Sequence, residues 1–182
     1  MLNDQWVFLF SICHWTLVIF LFCIMKTYVI ILNYKNTAMT VRCIKSLFEK
    51  DGGFSQIVLV NNDEDDFNPP LPLPGGDIRK IHIINNHKNL GFAGGVNVGI
   101  RYALSHKADA VLLINNDTVL QTALCKPLAS FLENHKNVGI VGPVIEFEKS
   151  GKTIHDLGGF VNSWWGRTYH DEITHPLPPP ME

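Results

Sequence analysis

From residue 26 onward, short apolar runs alternate with amphipathic stretches. Tyr28 to Asn33 is one β-rich apolar run, and "QIVLVNN", Gln56 to Asn62, is a second. Arg79 to Asn85 is a third, with Ile81 and Ile83 turned one way, and Ala110 to Ile114 is a fourth. Runs of this length, rich in β-branched residues, predict strands. Between them, Thr37 to Lys50 carries Val41, Ile44, Leu47 and Phe48 on one helical stripe, and Asp51-Gly52-Gly53 stops it. Gly95 to His106 turns Val96, Ile100, Ala103 and Leu104 inward, and Thr122 to His135 does so with Leu124, Leu128, Phe131 and Leu132. A fifth strand is expected over Val138 to Phe147, interrupted by Gly142-Pro143. The proline-rich "NPPLPLPGG", residues 68 to 76, reads as an extended surface loop, and residues 161–182 as mostly loop.

Strands alternating with helices predict an α/β domain, a mainly parallel sheet with helices on both faces. Ligands of such sheets bind beyond the carboxyl ends of the strands, where strand order reverses. Three strands here end in polar residues: Asn33-Tyr34, Asn61-Asn62 and Asn115-Asn116-Asp117. In a parallel sheet all three sets share one rim, which makes that rim the expected site.

Residues 1–25 stand apart. Trp6 to Met25 contains no charged residue, and a membrane-spanning helix needs roughly 20 apolar residues. Lys26 at its far end puts the rest of the chain on the cytoplasmic face, anchored through residues 6–25. Alternatively, "MKTYVIILNY" from Met25 reads as the start of a domain whose first strand begins at once, and the preceding segment is then an upstream extension. A secretory signal is disfavoured, because the start is Asn-Asp rather than basic. His14 is a tolerated polar residue within the apolar run.

The length, 182 residues, fits one domain. Charged residues make up 18% and the net charge is -2, so no basic excess points to nucleic acid as a partner. The cysteines, Cys13, Cys23, Cys43 and Cys125, form no CxxC pair and read as buried free thiols. His155, His170 and His175 lack the spacing of a metal site. Trp164 and Trp165 read as packing residues before a sugar platform.

Two segments carry candidate chemistry. In "NLGFAGGVNVGI", residues 89 to 100, Gly91, Gly94 and Gly95 precede a helix, where backbone and free N–H groups can approach a ligand. The spacing is neither GxGxxG nor a Walker loop, and a tight strand-to-helix turn explains the glycines equally well. In "AVLLINNDTVL", residues 110 to 120, an apolar strand runs into two amides and Asp117. That carboxylate suits a hard cation, Mg²⁺ or Mn²⁺, bridging it to a nucleotide diphosphate. As a helix N-cap it has a purely structural reading.

Together, "VIILNY", "IVLVNN" with acids following, "NLGFAGGVNVGI" and "LLINNDTVL" resemble family-2 glycosyltransferases of the rhamnosyltransferase-like branch, in order and spacing, across residues 27 to about 160. The resemblance implies a GT-A fold over 26–160, with 161–182 as the start of a truncated acceptor region. It implies a nucleotide-diphospho-sugar donor, a saccharide or lipid-linked saccharide acceptor, and membrane association. Asn33 and Tyr34 would lie against the nucleoside. Asn61 stands where the family commonly has aspartate, and Asn62 or Asp66 would share the base contact. Gly94, Gly95 and Asn97 would line the donor. Asn115 and Asn116 open the segment matching the family's Asp-x-Asp motif, and Asp117 matches its last acid, the metal ligand. Asn115 replaces the first acid, as this branch often does. The general base of an inverting transfer is expected beyond the chain end, since Asp156, Asp171 and Glu172 sit in no matching pattern. The implied activity is sugar transfer to a hydroxyl, with rhamnose the first candidate, in surface-polysaccharide synthesis. A donor-binding fragment without turnover is the alternative. A nucleotidyltransferase is disfavoured, because "LNYKNTAMT" lacks a glycine-rich triphosphate loop.

Overall fold

The computed structural model describes residues 6–9, 20–23, 25–67, 80–149, 152–162 and 167–173. The proline-rich loop over 68–76, His14, Trp164, Trp165 and His175 lie outside the described residues. The chain divides into two compact units, Met1–Asn134 and His135–Glu182.

In the first unit, Trp6–Leu9 (β1) and Phe20–Cys23 (β2) pair antiparallel in a two-stranded sheet of their own. Of the segment read as a membrane helix or an upstream extension, the two described stretches, 6–9 and 20–23, are extended rather than helical. Trp, Val and Phe favour strands, and hydrophobicity alone does not separate a buried strand from a helix. Among the described residues no helix is long and apolar enough to cross a membrane.

The core of this unit is a four-stranded parallel sheet of Thr27–Asn33 (β3), Gln56–Asn61 (β4), Ile81–Asn85 (β5) and Ala110–Asn115 (β6), in the order β5-β4-β3-β6. Central strands covered on both faces need apolar side chains on both. Accordingly Val29, Ile30 and Ile31 of β3 and Ile57 to Val60 of β4 are all buried. Helix Thr37–Lys50 (α1) covers one face with Cys43, Ile44 and Leu47, joined there by Leu120 and Cys125. Helix Gly91–Ser105 (α2) covers the other through Ala103, packed with Tyr28, Ile30, Val58 and Val60. Cys125–Asn134 (α3) begins later than its apolar stripe predicts, and Phe131 is exposed rather than inward.

The chain builds β3, β4 and β5 outward in one direction and then places β6 on the opposite side of β3. Strand order therefore reverses between β3 and β6, and their carboxyl ends border a crevice of the kind that binds ligands in open α/β sheets.

The second unit holds Ile145–Lys149 (β7), Lys152–Asn162 (β8) and Arg167–Ile173 (β9) in an antiparallel sheet ordered β7-β8-β9. The expected strand over Val138 to Phe147 starts only at Ile145, beyond Gly142-Pro143. Within the stretch expected to be mostly loop, 161–182, the described residues 167–173 form β9, paired with a β8 that carries an irregularity between Asp156 and Gly159.

Candidate functional site

Register decides what the strand tips share. Asn33 pairs laterally with Asn61, Asn61 with Asn85, and Leu32 with Asn115, so Asn116 falls level with Asn33. The result is a row of amides, Asn85, Asn61, Asn33 and Asn116, across the sheet in strand order. Side chains alternate faces along a strand, so this row points to the α1 side. The Thr40 hydroxyl of α1 meets it there, donating to Asn33 Oδ1 at 2.7 Å and accepting from Asn116 Nδ2 at 3.0 Å. Asn33 Nδ2 donates to Asn61 Oδ1 at 2.8 Å. Asn61 Nδ2 donates to the Asp65 carbonyl at 2.7 Å and to Asn85 Oδ1 at 3.2 Å, and Asn85 Oδ1 also accepts from Phe67 N–H at 3.1 Å. Buried amides require such partners, and here each supplies the next.

The following residues point to the α2 side. Buried Asn62 accepts from Asn86 Nδ2 at 2.7 Å and donates to the Gly91 carbonyl at 3.0 Å. Asn89 Oδ1 in turn accepts from Gly91 N–H at 2.8 Å. Gly91 has φ +71°, a left-handed conformation that glycine adopts without a Cβ penalty. Asn62 thus clamps the turn that starts α2. A Cβ on Gly95 would lie 2.4 Å from Leu32 Cδ1 and 2.8 Å from Asn62 Nδ2, so glycine there lets α2 close on the strand tips.

Above these layers, at the strand-order reversal, is a pocket of about 380 Å³ lined by Leu32, Tyr34, Asn62, Asn89, Gly91, Phe92 and Asn115 to Asp117. Small-ligand pockets run from about 300 to 1,000 Å³. Tyr34 and Phe92 are exposed aromatic surfaces on this lining. Asp117 is its one carboxylate. The buried Cys43 thiol of α1 lies behind it, 3.6 Å from the Asn115 carbonyl. Burial first, and then the Asp117 charge, push that thiol up to about 12, so it stays protonated.

Of the residues singled out from sequence, Tyr34, Asn62, Gly91, Asn115, Asn116 and Asp117 meet on this lining. Asn33 and Asn61 lie in the buried amide row and not on the lining. Gly95 is buried against Leu32 and Asn62, and Gly94 lies against Leu90. Asn97 is exposed on α2 away from the lining, and exposed Asp66 lies 3.7 Å from His87. Sequence reading missed Leu32, Asn89 and Phe92 on the lining and Thr40 and Asn85 beneath it. "IINN", Asn85 with Asn86, matches the tip of the second strand and could have revealed the row. Nothing local marks Thr40.

The donor set fits a particular kind of cation site. Among the described residues no three His, Cys, Asp or Glu side chains cluster to hold a metal. Mg²⁺ characteristically takes one or two carboxylates and completes its shell with water and phosphate oxygens. A lone Asp117 beside the side chains of Asn115 and Asn116 on the pocket lining fits a cation shared with a ligand's phosphates.

Residues 28–181 match the family Glycosyl transferase family 2. The dTDP-rhamnosyl transferase RfbF of Shigella flexneri is 36% identical over 75 residues, covering 41% of this chain and 25% of that protein. A low-salt glycan biosynthesis hexosyltransferase of Haloferax volcanii is 28% identical over 124 residues, covering 64% of this chain and 36% of that one. The chain thus spans between 25% and 36% of the length of these curated relatives. Among solved structures, S. aureus TarS residues 1–349 superpose with a TM-score of 0.46 at 21% identity, covering 62% of this chain and 33% of that one. The same protein in complex with UDP gives 0.46 at 20% identity, with the same shares covered. The match over 28–181 takes in both the parallel sheet and every residue of the pocket, and by it this α/β chain of GT-A type belongs to glycosyl transferase family 2.

Proposed function

We propose that the pocket binds the nucleotide-diphosphate half of a sugar donor, and that the protein transfers the sugar to a hydroxyl of a saccharide acceptor with inversion. The observation that carries this is the meeting of Tyr34, Asn62 and Asp117 on one lining at the strand-order reversal. Tyr34 offers the nucleoside an aromatic face, and Asn62 with the turn it holds at Gly91 lines the same pocket. Asp117 would hold Mg²⁺ or Mn²⁺, with the Asn115 and Asn116 amides beside it. When bound, that cation supplies positive charge against the departing diphosphate. We assign no general base, since among the described residues of the lining Asp117 is the one carboxylate, and in this reading it serves the cation. A deoxysugar donor such as dTDP-rhamnose is the first to test, supported by the likeness to a dTDP-rhamnosyl transferase. A lipid-linked acceptor, and with it a place at the cytoplasmic membrane face, rests on the apolar run over 6–25 alone.

The match to only 25% to 36% of the relatives' length favours one second reading, a donor-binding module that does not turn over. Calorimetric titration with UDP and dTDP, with and without Mn²⁺, tests both readings beside a transfer assay on dTDP-rhamnose and UDP-hexoses. Cation-dependent binding with product formation supports the enzyme. Binding without product supports the module, and absence of nucleotide binding overturns both.

A further inference from the structure

The buried amide row has a fixed direction, and that direction reaches the pocket. At its far end two backbone groups leave no choice. The Asp65 carbonyl can only accept, so Asn61 must turn Nδ2 to it. The Phe67 N–H can only donate, so Asn85 must present Oδ1, which again demands Nδ2 from Asn61. Asn61 therefore faces Asn33 with Oδ1, Asn33 answers with Nδ2, and its own Oδ1 faces Thr40. The Thr40 hydroxyl has one proton and two oxygens within reach, Asn33 Oδ1 at 2.7 Å and the Asn36 carbonyl at 3.0 Å. Whichever oxygen receives it, Thr40 Oγ1 has only lone pairs left for Asn116, which must donate Nδ2. The Oδ1 of Asn116 takes no part in the row, and Asn116 lines the pocket next to Asp117.

From this we infer that Thr40, at the end of a one-way hydrogen-bond relay, is a positioning residue that holds Asn116 with its carbonyl oxygen toward the pocket, where it adds a second oxygen to the cation-binding edge made by Asp117. This inference rests on the donor reading above and goes further, because it assigns the chemical character of Asn116, an acceptor and not a donor, and names a helix residue outside the pocket that sets it. The middle of the relay is dry, with Thr40 at 0%, Asn33 at 1% and Asn61 at 1% exposure, while Asn85 and Asn116 at its ends are half-buried, so water does not readily replace a lost middle member. It also joins the turn over 63–67 to the tip of β6, across the full width of the sheet.

The test is Mn²⁺ titration of the full chain in the presence of UDP or dTDP, with the free Mn²⁺ signal read by electron paramagnetic resonance and fold checked by circular dichroism. Thr40→Val removes donor and acceptor at nearly constant shape, and Asn116→Ala removes the proposed oxygen. Each is expected to weaken Mn²⁺ binding about tenfold, the scale of losing a partner that orients a metal ligand. Thr40→Ser keeps the hydroxyl and is expected to stay within about twofold of wild type. The double variant is expected to be no weaker than Asn116→Ala alone, since members of one network do not add. Wild-type-like Mn²⁺ binding by either folded single variant, or independent losses that multiply in the double, overturns the relay. Should Thr40→Val fail to fold, Asn116→Ala against wild type decides. Wild type that takes up neither nucleotide nor Mn²⁺ overturns the donor reading and this inference with it, whereas normal wild-type binding with unaffected variants overturns the relay alone.

Discussion

Asp117 lines the pocket and Gly95 packs behind Leu32 and Asn62, which line it, so the two fail in different ways. Asp117 is exposed just past the end of β6, and in the proposed reading its charge serves a ligand. Asp117→Asn keeps the shape and removes the charge. It is expected to leave the urea midpoint unchanged while weakening Mn²⁺-dependent nucleotide binding by about 100-fold, the upper end of what even an outer partner of a metal costs. Titration of the variant beside a denaturation curve checks both halves. Gly95→Ala adds a methyl group where Leu32 and Asn62 already press. Leu32 can swing its terminal methyl aside. Asn62 cannot move freely, because it holds the Gly91 carbonyl and the Asn86 amide. The expected cost is about 1–3 kcal/mol of stability from overpacking, and nucleotide affinity falls as the Gly91 turn shifts. Normal affinity at reduced stability would mean that Leu32 alone absorbs the strain.

Among the elements, α1 and α3 are tied by one buried carboxylate. Asp51, ending α1, accepts from Gly53 N–H at 2.8 Å, Leu124 N–H at 2.7 Å and Cys125 N–H at 2.6 Å. The last two are free donors at the start of α3, where a negative charge is favoured. Burial acts to raise the Asp51 pKa, but the backbone bonds from Cys125, Gly53 and Leu124 outweigh it and hold the group below the usual carboxylate range. A depressed folded value means the unfolded chain takes up the proton first. The stabilisation is therefore complete well above the unfolded value of about 3.9 and is lost as pH falls through the lower folded value. Asp51→Asn is expected to cost about 1.5–3 kcal/mol at pH 7, the worth of hydrogen bonds to a charged group, and to flatten the acid-side loss. Urea midpoints between pH 7 and pH 3 check this, and parallel wild-type and variant curves would remove Asp51 from the acid response. The strands of this layer were legible because β3 and β4 are apolar on both faces. The start of α2 was not, because Gly91 to Gly94 read as loop yet enter the helix once Asn62 and Asn89 grip Gly91. The strands β8 and β9 were missed because paired glycines and charges break their alternation, and pairing between them supplies what periodicity did not.

At the scale of the whole molecule, the site was legible as a rim but not as two layers. The sequence shows strand tips rich in asparagine. Only register reveals that Asn33 and Asn61 face α1 as support while Asn62 faces the pocket, since a step of one residue moves a side chain to the other face of the sheet. The apolar segment ahead of Met25 poses the corresponding question of extent. Among the described residues, the ribbon of β1 and β2 pairs only within itself and lends no strand to the parallel sheet. The sheet is instead fastened at its own beginning, where Lys26 N–H donates to Asp109 Oδ2 at 2.7 Å and Lys26 Nζ to the His106 carbonyl at 2.7 Å. These bonds join Lys26, the residue just before β3, to the turn between α2 and β6, so the sheet carries its own closure. A chain beginning at Met25 is therefore expected to keep its stability to urea unfolding within about 0.5 kcal/mol, the range of changes that touch no core feature, and to bind UDP or dTDP with Mn²⁺ as the full chain does. Lys26→Ala in the shortened chain is expected to lower stability, because it removes the Nζ bond that holds the end of α2. If the shortened chain instead unfolds while Lys26→Ala in the full chain is neutral, the ribbon and not the Lys26 fastening holds the sheet's first strand in place.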